Sequence, residues 1–269
     1  MTHAPYIPPP SQAPRKTVLA LQWVDPLRWL LLGLHDVRAH PWMGLFYGLA
    51  FWTMAWVLGG VFRSNPEYTM SIASGCLLVG PFLAMGLYDV SRRSAAGLEA
   101  DFGASLTCWD QHIPSMGMLV LVLIVLELLW GRASLVVFAV FFNTGMPSTA
   151  SVVGAVFNPE NWEFLLAYMV VGGAFAAIVF SLSVVSIPMI LDRDVDAISA
   201  AIASLEVVFH NTGTMVFWGF LLCLLVGLAF LLPWGVGIIV VGPLLGHASW
   251  HAYQSAIQWP ETTDAPPSK

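Results

Sequence analysis

Charge is what this sequence has least of. Asp, Glu, Lys and Arg make up 10% of its 269 residues, where a soluble domain carries about a quarter. Ten basic residues face sixteen acidic ones, for a net charge of −6. Neither end holds a run of Lys or Arg, so the electrostatic footprint of a nucleic-acid binder is missing. Cysteine is scarce as well. Cys76, Cys108 and Cys223 are scattered in or beside apolar runs, and they read as small core residues, not as a disulfide frame. There is no CxxC, no glycine-rich phosphate loop after a strand, and no Ser/His/Asp set in a recognisable motif. Nothing in the order of residues marks a catalytic centre, and the chain reads as no enzyme. The opening MTHAPYIPPPSQAPRK lacks the basic, apolar, small-residue order of a cleaved signal peptide. Residues 1–17 read as a disordered cytoplasmic tail, and 259–269 as a second loose tail.

What fills the space is apolar. Hydrophobic residues make up 58% of the chain, and the mean hydropathy is +0.76. Water could not surround so much apolar surface, so the solvent is lipid and the fold class is all-α, a polytopic membrane protein. Residues 18–258 form its single transmembrane domain. Six spans are expected, near 42–62, 70–88, 115–142, 162–191, 214–232 and 235–257. The third is apolar over 28 residues, roughly 42 Å at the helical rise. That is too long for one upright crossing, so it is tilted, extends past the bilayer, or breaks near Trp130-Gly131. Between the spans lie polar turns, one at Arg63–Glu67 and a Gly/Ser/Pro/Asn loop over 143–161. Two amphipathic stretches, within 18–39 and 192–213, carry too many charges to cross, and are expected to lie on the cytoplasmic interface. In the first, Leu27, Leu30, Leu31 and Leu34 recur at helical spacing. The 12 Trp gather at span ends, as an aromatic belt does.

The spans are organised as a repeat. Residues 30–93 and 200–251 each give an amphipathic helix, a polar break, an apolar span, a turn and a second span. Asp36 matches Glu206, His40 matches His210, and Val79-Gly80-Pro81 matches Val241-Gly242-Pro243. With the N-terminus inside, Arg15, Lys16, Arg28, Arg38, Arg92, Arg93, Arg193 and Lys269 fall on the cytoplasmic side and only Arg63 outside, with Arg132 in or beside span three. Both termini are then cytoplasmic, and the repeat is parallel, with a pseudo-twofold along the membrane normal, unlike the inverted repeats of many transporters.

Few residues offer chemistry. Gly44 and Gly48, four apart, together with Gly80, Pro81, Gly242, Pro243 and Gly246, are candidate helix-packing and kink positions. His247 and His251 lie four apart on one helical face, a spacing that suits a metal or a tetrapyrrole edge. His210, His40, Asp89 and Glu206 could complete such a set; without them both histidines are interfacial residues bonded to backbone or headgroups. Glu127 and Arg132 are charges in an apolar run, and mark either a functional site or a helix leaving the bilayer. Asp192-Arg193-Asp194-Val195-Asp196 alternates like half a calcium loop but lacks its glycine and distal glutamate. Carboxylates at a helix N-terminus explain it better.

The segments LLVGPFLAMGLYDVSRR, SVVSIPMILDRDVDA, VVGPLLGHASWHAY and HDVRAHPWMGLFYGLAF resemble the hallmarks of an uncharacterised bacterial integral-membrane family, domain of unknown function 2189. The resemblance spans roughly Leu30 to Tyr253. It implies a multi-pass protein of the bacterial inner membrane and supplies no activity and no cofactor. The lipid bilayer is the first partner, and other membrane subunits the second. Three functions are open. The first is a non-catalytic accessory or assembly subunit of a larger inner-membrane complex, a respiratory one among the candidates. The second is a small-solute transporter or channel, for which mid-span Gly-Pro pairs speak. The third is a haem, metal or quinone protein using His247 and His251.

Overall fold

The computed structural model describes residues 16–64, 69–142 and 158–259. The expected tails, the Arg63–Glu67 turn and the 143–161 loop lie wholly or mostly outside these. Nearly all of the described chain is helical. In order come β1 (Thr17–Val18), α1 (Asp25–Ala39), α2 (Pro41–Ser64), α3 (Thr69–Ala95), α4 (Phe102–Thr107), α5 (Ile113–Phe141) and α6 (Trp162–Ser183). There follow α7 (Ser186–Arg193), α8 (Ala197–His210), α9 (Thr212–Leu231), α10 (Ile238–Ala256) and β2 (Ile257–Gln258).

The helix ends follow from local chemistry. Asp25 and Pro26 open α1, an acid and a proline in the first turn where both are favoured. Asp101 caps α4 through the amides of Gly103 and Ala104. Asp196 caps α8 through those of Ile198 and Ser199. The Ser199 side chain, together with those amide bonds, holds the Asp196 carboxyl below its ordinary value. The alternating acidic run therefore serves, at Asp196, as a helix start.

Four helical stretches are long and apolar enough to cross a membrane: Pro41–Ser64, Phe102–Phe141, Trp162–Arg193 and Thr212–Leu231. The other two expected spans correspond to α3 and α10, of 27 and 19 residues. Polar residues toward their C-terminal ends reduce their hydropathy. Both run through an internal proline, Pro81 and Pro243. The third span is one continuous helix through Trp130-Gly131, 29 residues from Ile113 to Phe141. The fourth is not continuous: α6 stops at Ser183 and α7 starts at Ser186. Pro188 has no N–H to give to Val184, which favours a new first turn there. The buried Ser204 Oγ accepts the Val185 amide at 3.2 Å.

Helix α10 is the axis. Along it lies α1, with α2 and α3 on its flanks and α9 and α7 also touching it, while α5 and α6 form a second pair joined to the first through α3 and α8. Two-stranded pairing sets Thr17 opposite Gln258 and Val18 opposite Ile257. The Asn211 side chain extends it, accepting from Leu21 N (2.8 Å) and donating to Leu19 O (3.0 Å). These contacts gather the start of α2, the end of α3, the start of α9 and the end of α10 at one end of the bundle. Helices follow in a similar order in α1–α2–α3 and in α8–α9–α10. Their packing does not repeat, because α1 and α2 lie on α10 whereas α8 and α9 make no comparable contact with α3.

The core sits at that gathered end, built on Trp29, Trp218, Trp250, Tyr253, Met85, Met116 and Met189. Toward the other end the spans expose Val136, Val140, Met169, Val170, Leu228 and Leu231, as lipid permits.

Candidate polar site at the gathered end of the bundle

Three close approaches build the site. Gly33 lets α1 cross α10: a Cβ there would lie 2.8 Å from Ala248 N and Leu244 O. Gly246 lets α10 meet α3, where a Cβ would lie 2.5 Å from a Leu87 methyl. Gly48 lets α2 touch α10, where a Cβ would lie 2.0 Å from Ile239 O. Around it, a Cβ on Gly44 would lie 3.9 Å from Pro243 and one on Gly242 3.2 Å from Phe51, while one on Gly80 would meet only the Met54 methyl, at 3.8 Å.

The first two crossings bring together Asp36 of α1, Ser91 of α3, and His247 and His251 of α10. Ser91 Oγ lies 2.6 Å from Asp36 Oδ2 and 2.7 Å from His247 Nδ1. His251 Nε2 lies 2.9 Å from the same Asp36 oxygen. Asp36, Ser91 and His247 are all buried. The protons can be assigned by counting. Burial alone raises the Asp36 carboxyl, but hydrogen bonds from His251 and Ser91, with the nearby imidazoles, outweigh it and hold the group below its ordinary 3.8. Asp36 is a carboxylate and accepts. Ser91 gives it its single hydrogen and must accept from His247. Nδ1 of His247 therefore carries a proton, and in the neutral imidazole Nε2 carries a lone pair. That Nε2 is buried with no hydrogen-bond partner among the described residues.

This arrangement differs from a hydrolytic triad. There the imidazole takes the serine proton and the carboxylate holds the far imidazole nitrogen. Here the serine stands between, its proton directed at the carboxylate, and Asp36 lies 4.0 Å from His247 Nδ1. The set works as a three-helix clasp.

Several other ionic groups at this end are paired nearby. Asp89 is fully buried and held by Arg92 and by Arg93, the latter at 2.8 Å. Glu206 pairs with Lys16 at 2.8 Å. Asp192 accepts from Tyr253 at 2.7 Å, Trp259 donates to the Tyr253 oxygen at 3.1 Å, and Arg193 stacks over Trp259. So of the residues that could have joined His247 and His251 around a metal, Asp89 and Glu206 are engaged with cations, His210 is exposed and His40 ends α1. Among the described residues no group of three His, Cys, Asp or Glu is placed to hold a metal ion. Glu127 lines a groove with Leu77, Trp130 and Gly172, and Arg132 is on the exposed side of α5. Sequence reading missed Ser91 entirely, and knew Asp36 only through its match to Glu206. A serine inside a basic DVSRR end gives no local sign of burial.

Comparison with known proteins places the middle of the chain. Residues 69–192 match the family described as a predicted integral membrane protein, domain of unknown function 2189. The match covers α3 to α7 and leaves out α1 and α10, which bring Asp36 and both histidines. No curated protein matches, and no solved structure matches.

Proposed function

We propose that this chain, which shares its α3–α7 segment with that membrane family, is a non-catalytic accessory or assembly subunit of a larger complex in the bacterial inner membrane. The observation that carries this reading is a division among its glycines. Gly33, Gly48, Gly237 and Gly246 are crowded by other helices, whereas Gly59, Gly60, Gly117, Gly173 and Gly227, on spanning helices, have nothing within 4 Å. Bare glycines on lipid-facing helices let a partner's backbone approach closely. The buried Asp36, Ser91 and Asp89, by contrast, are paired inside the chain, and Asp36 and Ser91 tie its own helices. Six crossings with both termini cytoplasmic complete the proposal, because Lys16, Arg92, Arg93 and Arg193 gather at one end and Arg63 closes α2 at the other.

Extraction in mild detergent followed by native mass spectrometry tests the reading. A stoichiometric membrane partner is expected; a monodisperse lone protein overturns it. Against the transporter alternative weighs the seam between α2 and α10, filled by the Gly48–Ile239 and Phe51–Gly242 contacts. In favour of a haem or metal stands one feature, the bare His247 Nε2, whose Nδ1–H is oriented by Ser91 as ligating histidines are by an outer partner. An optical spectrum and metal analysis of the purified protein decide that alternative.

A further inference from the structure

Away from the clasp, α2, α3, α4 and the start of α5 enclose a pocket of about 410 Å³, within the range of small-molecule sites. Leu78, Val79, Phe82 and Leu83 of α3 form one side, and Leu106, Trp109 and Ile113 the other. Phe82 and Trp109 meet edge to face. Leu78, Val79 and Ile113 are about half exposed, on an apolar surface, so the pocket opens toward lipid.

Its polar wall is a pair of hydroxyls, Tyr47 and Ser105, 3.0 Å apart, each residue about 1% exposed. Gly86 admits the phenol: a Cβ there would lie 2.1 Å from the Tyr47 oxygen. Ser105 Oγ donates to Phe102 O at 2.9 Å. That uses its only hydrogen, so Tyr47 donates to Ser105. What remains for a guest is lone pairs. The wall accepts hydrogen bonds and offers none. It also lies deep, since Tyr47 is six residues into α2 from Pro41, roughly 9 Å along the axis. A phosphate or carboxylate headgroup would set acceptor against acceptor below the headgroup layer.

We propose that this pocket binds a membrane-dissolved alcohol: a single-chain or isoprenoid lipid that enters between α3 and α5 and donates its terminal hydroxyl to the Tyr47–Ser105 pair. The inference stands apart from the subunit reading, because it concerns a lipid guest and not a protein partner.

The test uses the full chain in nanodiscs and a long-chain alcohol carrying a diazirine and an alkyne. Crosslinked peptides are mapped, with oleyl alcohol and oleyl methyl ether as competitors. The label is expected on the 78–83 and 105–113 peptides. The alcohol should displace it at roughly fivefold to tenfold lower concentration than the ether, the worth of one neutral hydrogen bond. Ser105→Ala, nearly isosteric, frees the Tyr47 proton to donate, so the ether should then compete as well as the alcohol while the label stays in place. Leu83→Trp should fill the pocket and abolish labelling, with its thermal midpoint measured alongside. Equal displacement by alcohol and ether in the unaltered protein overturns the proposal. So does label spread evenly over α6 and α9, or an alcohol preference that survives in Ser105→Ala.

Discussion

Ser91 has one hydroxyl hydrogen and two close neighbours, Asp36 and His247. Removing that hydroxyl leaves a buried carboxylate short of a donor and a buried imidazole N–H without an acceptor. Ser91→Ala is expected to cost about 1–3 kcal/mol, read as a lower thermal midpoint in detergent by tryptophan fluorescence, and Ser91→Thr to recover part of it. In an Asp36→Asn background the same substitution should cost less, because the two act as one network. The pH dependence has a definite sign. The folded Asp36 carboxyl lies below its ordinary 3.8, so its contribution is fully present above that value and is lost as pH falls through the folded one. Midpoints measured from pH 6 to pH 3 should fall for the unaltered protein and stay flatter for Asp36→Asn.

At the scale of the helix, close approach decides what packs. Gly48→Ala places a methyl against the Ile239 carbonyl, and overpacking of this kind costs about 1–3 kcal/mol. Gly60→Ala, on the same helix with open surroundings, should leave the midpoint unchanged. A fall for Gly60→Ala, or none for Gly48→Ala, would contradict the α2–α10 contact. Helix α1 teaches how far pattern reading reached. Its leucines predicted an amphipathic helix, and the helix is there. Yet Leu27 and Leu31 point outward, while Trp29, Gly33 and Asp36 are buried. Next to lipid, an apolar stripe is as content outside as inside, so periodicity located the helix without telling which face meets α10. The α6–α7 break was missed for a related reason: Ser183 and Ser186 beside Val184-Val185 are tolerated in a spanning helix, where they bond back to Val179 and Leu182 carbonyls, and only Pro188 and the Ser204 contact mark the turn.

For the molecule as a whole, the prediction concerns sidedness. In a background with Cys76, Cys108 and Cys223 replaced, Gly97→Cys between α3 and α4 and Trp234→Cys between α9 and α10 should react with impermeant maleimide from opposite faces of the membrane. Reaction from one face would remove the six-span arrangement. Composition already dictated the solvent, since a chain with so few charges and such long apolar runs is stable only in lipid, and in lipid its backbone must close its own hydrogen bonds as helices. The order of residues also set which stretches become long apolar helices and how unequally Lys and Arg are distributed between them. Which helix faces meet was left to the tertiary structure. So was the clasp, whose members are 55, 156 and 215 residues apart in pairs. The physical reason is that a protein core and a lipid tail are equally apolar. Hydrophobicity can therefore place a helix in the membrane but cannot rank its faces; that ranking comes from a glycine's missing side chain and a buried proton's need for an acceptor, both settled only when distant helices touch.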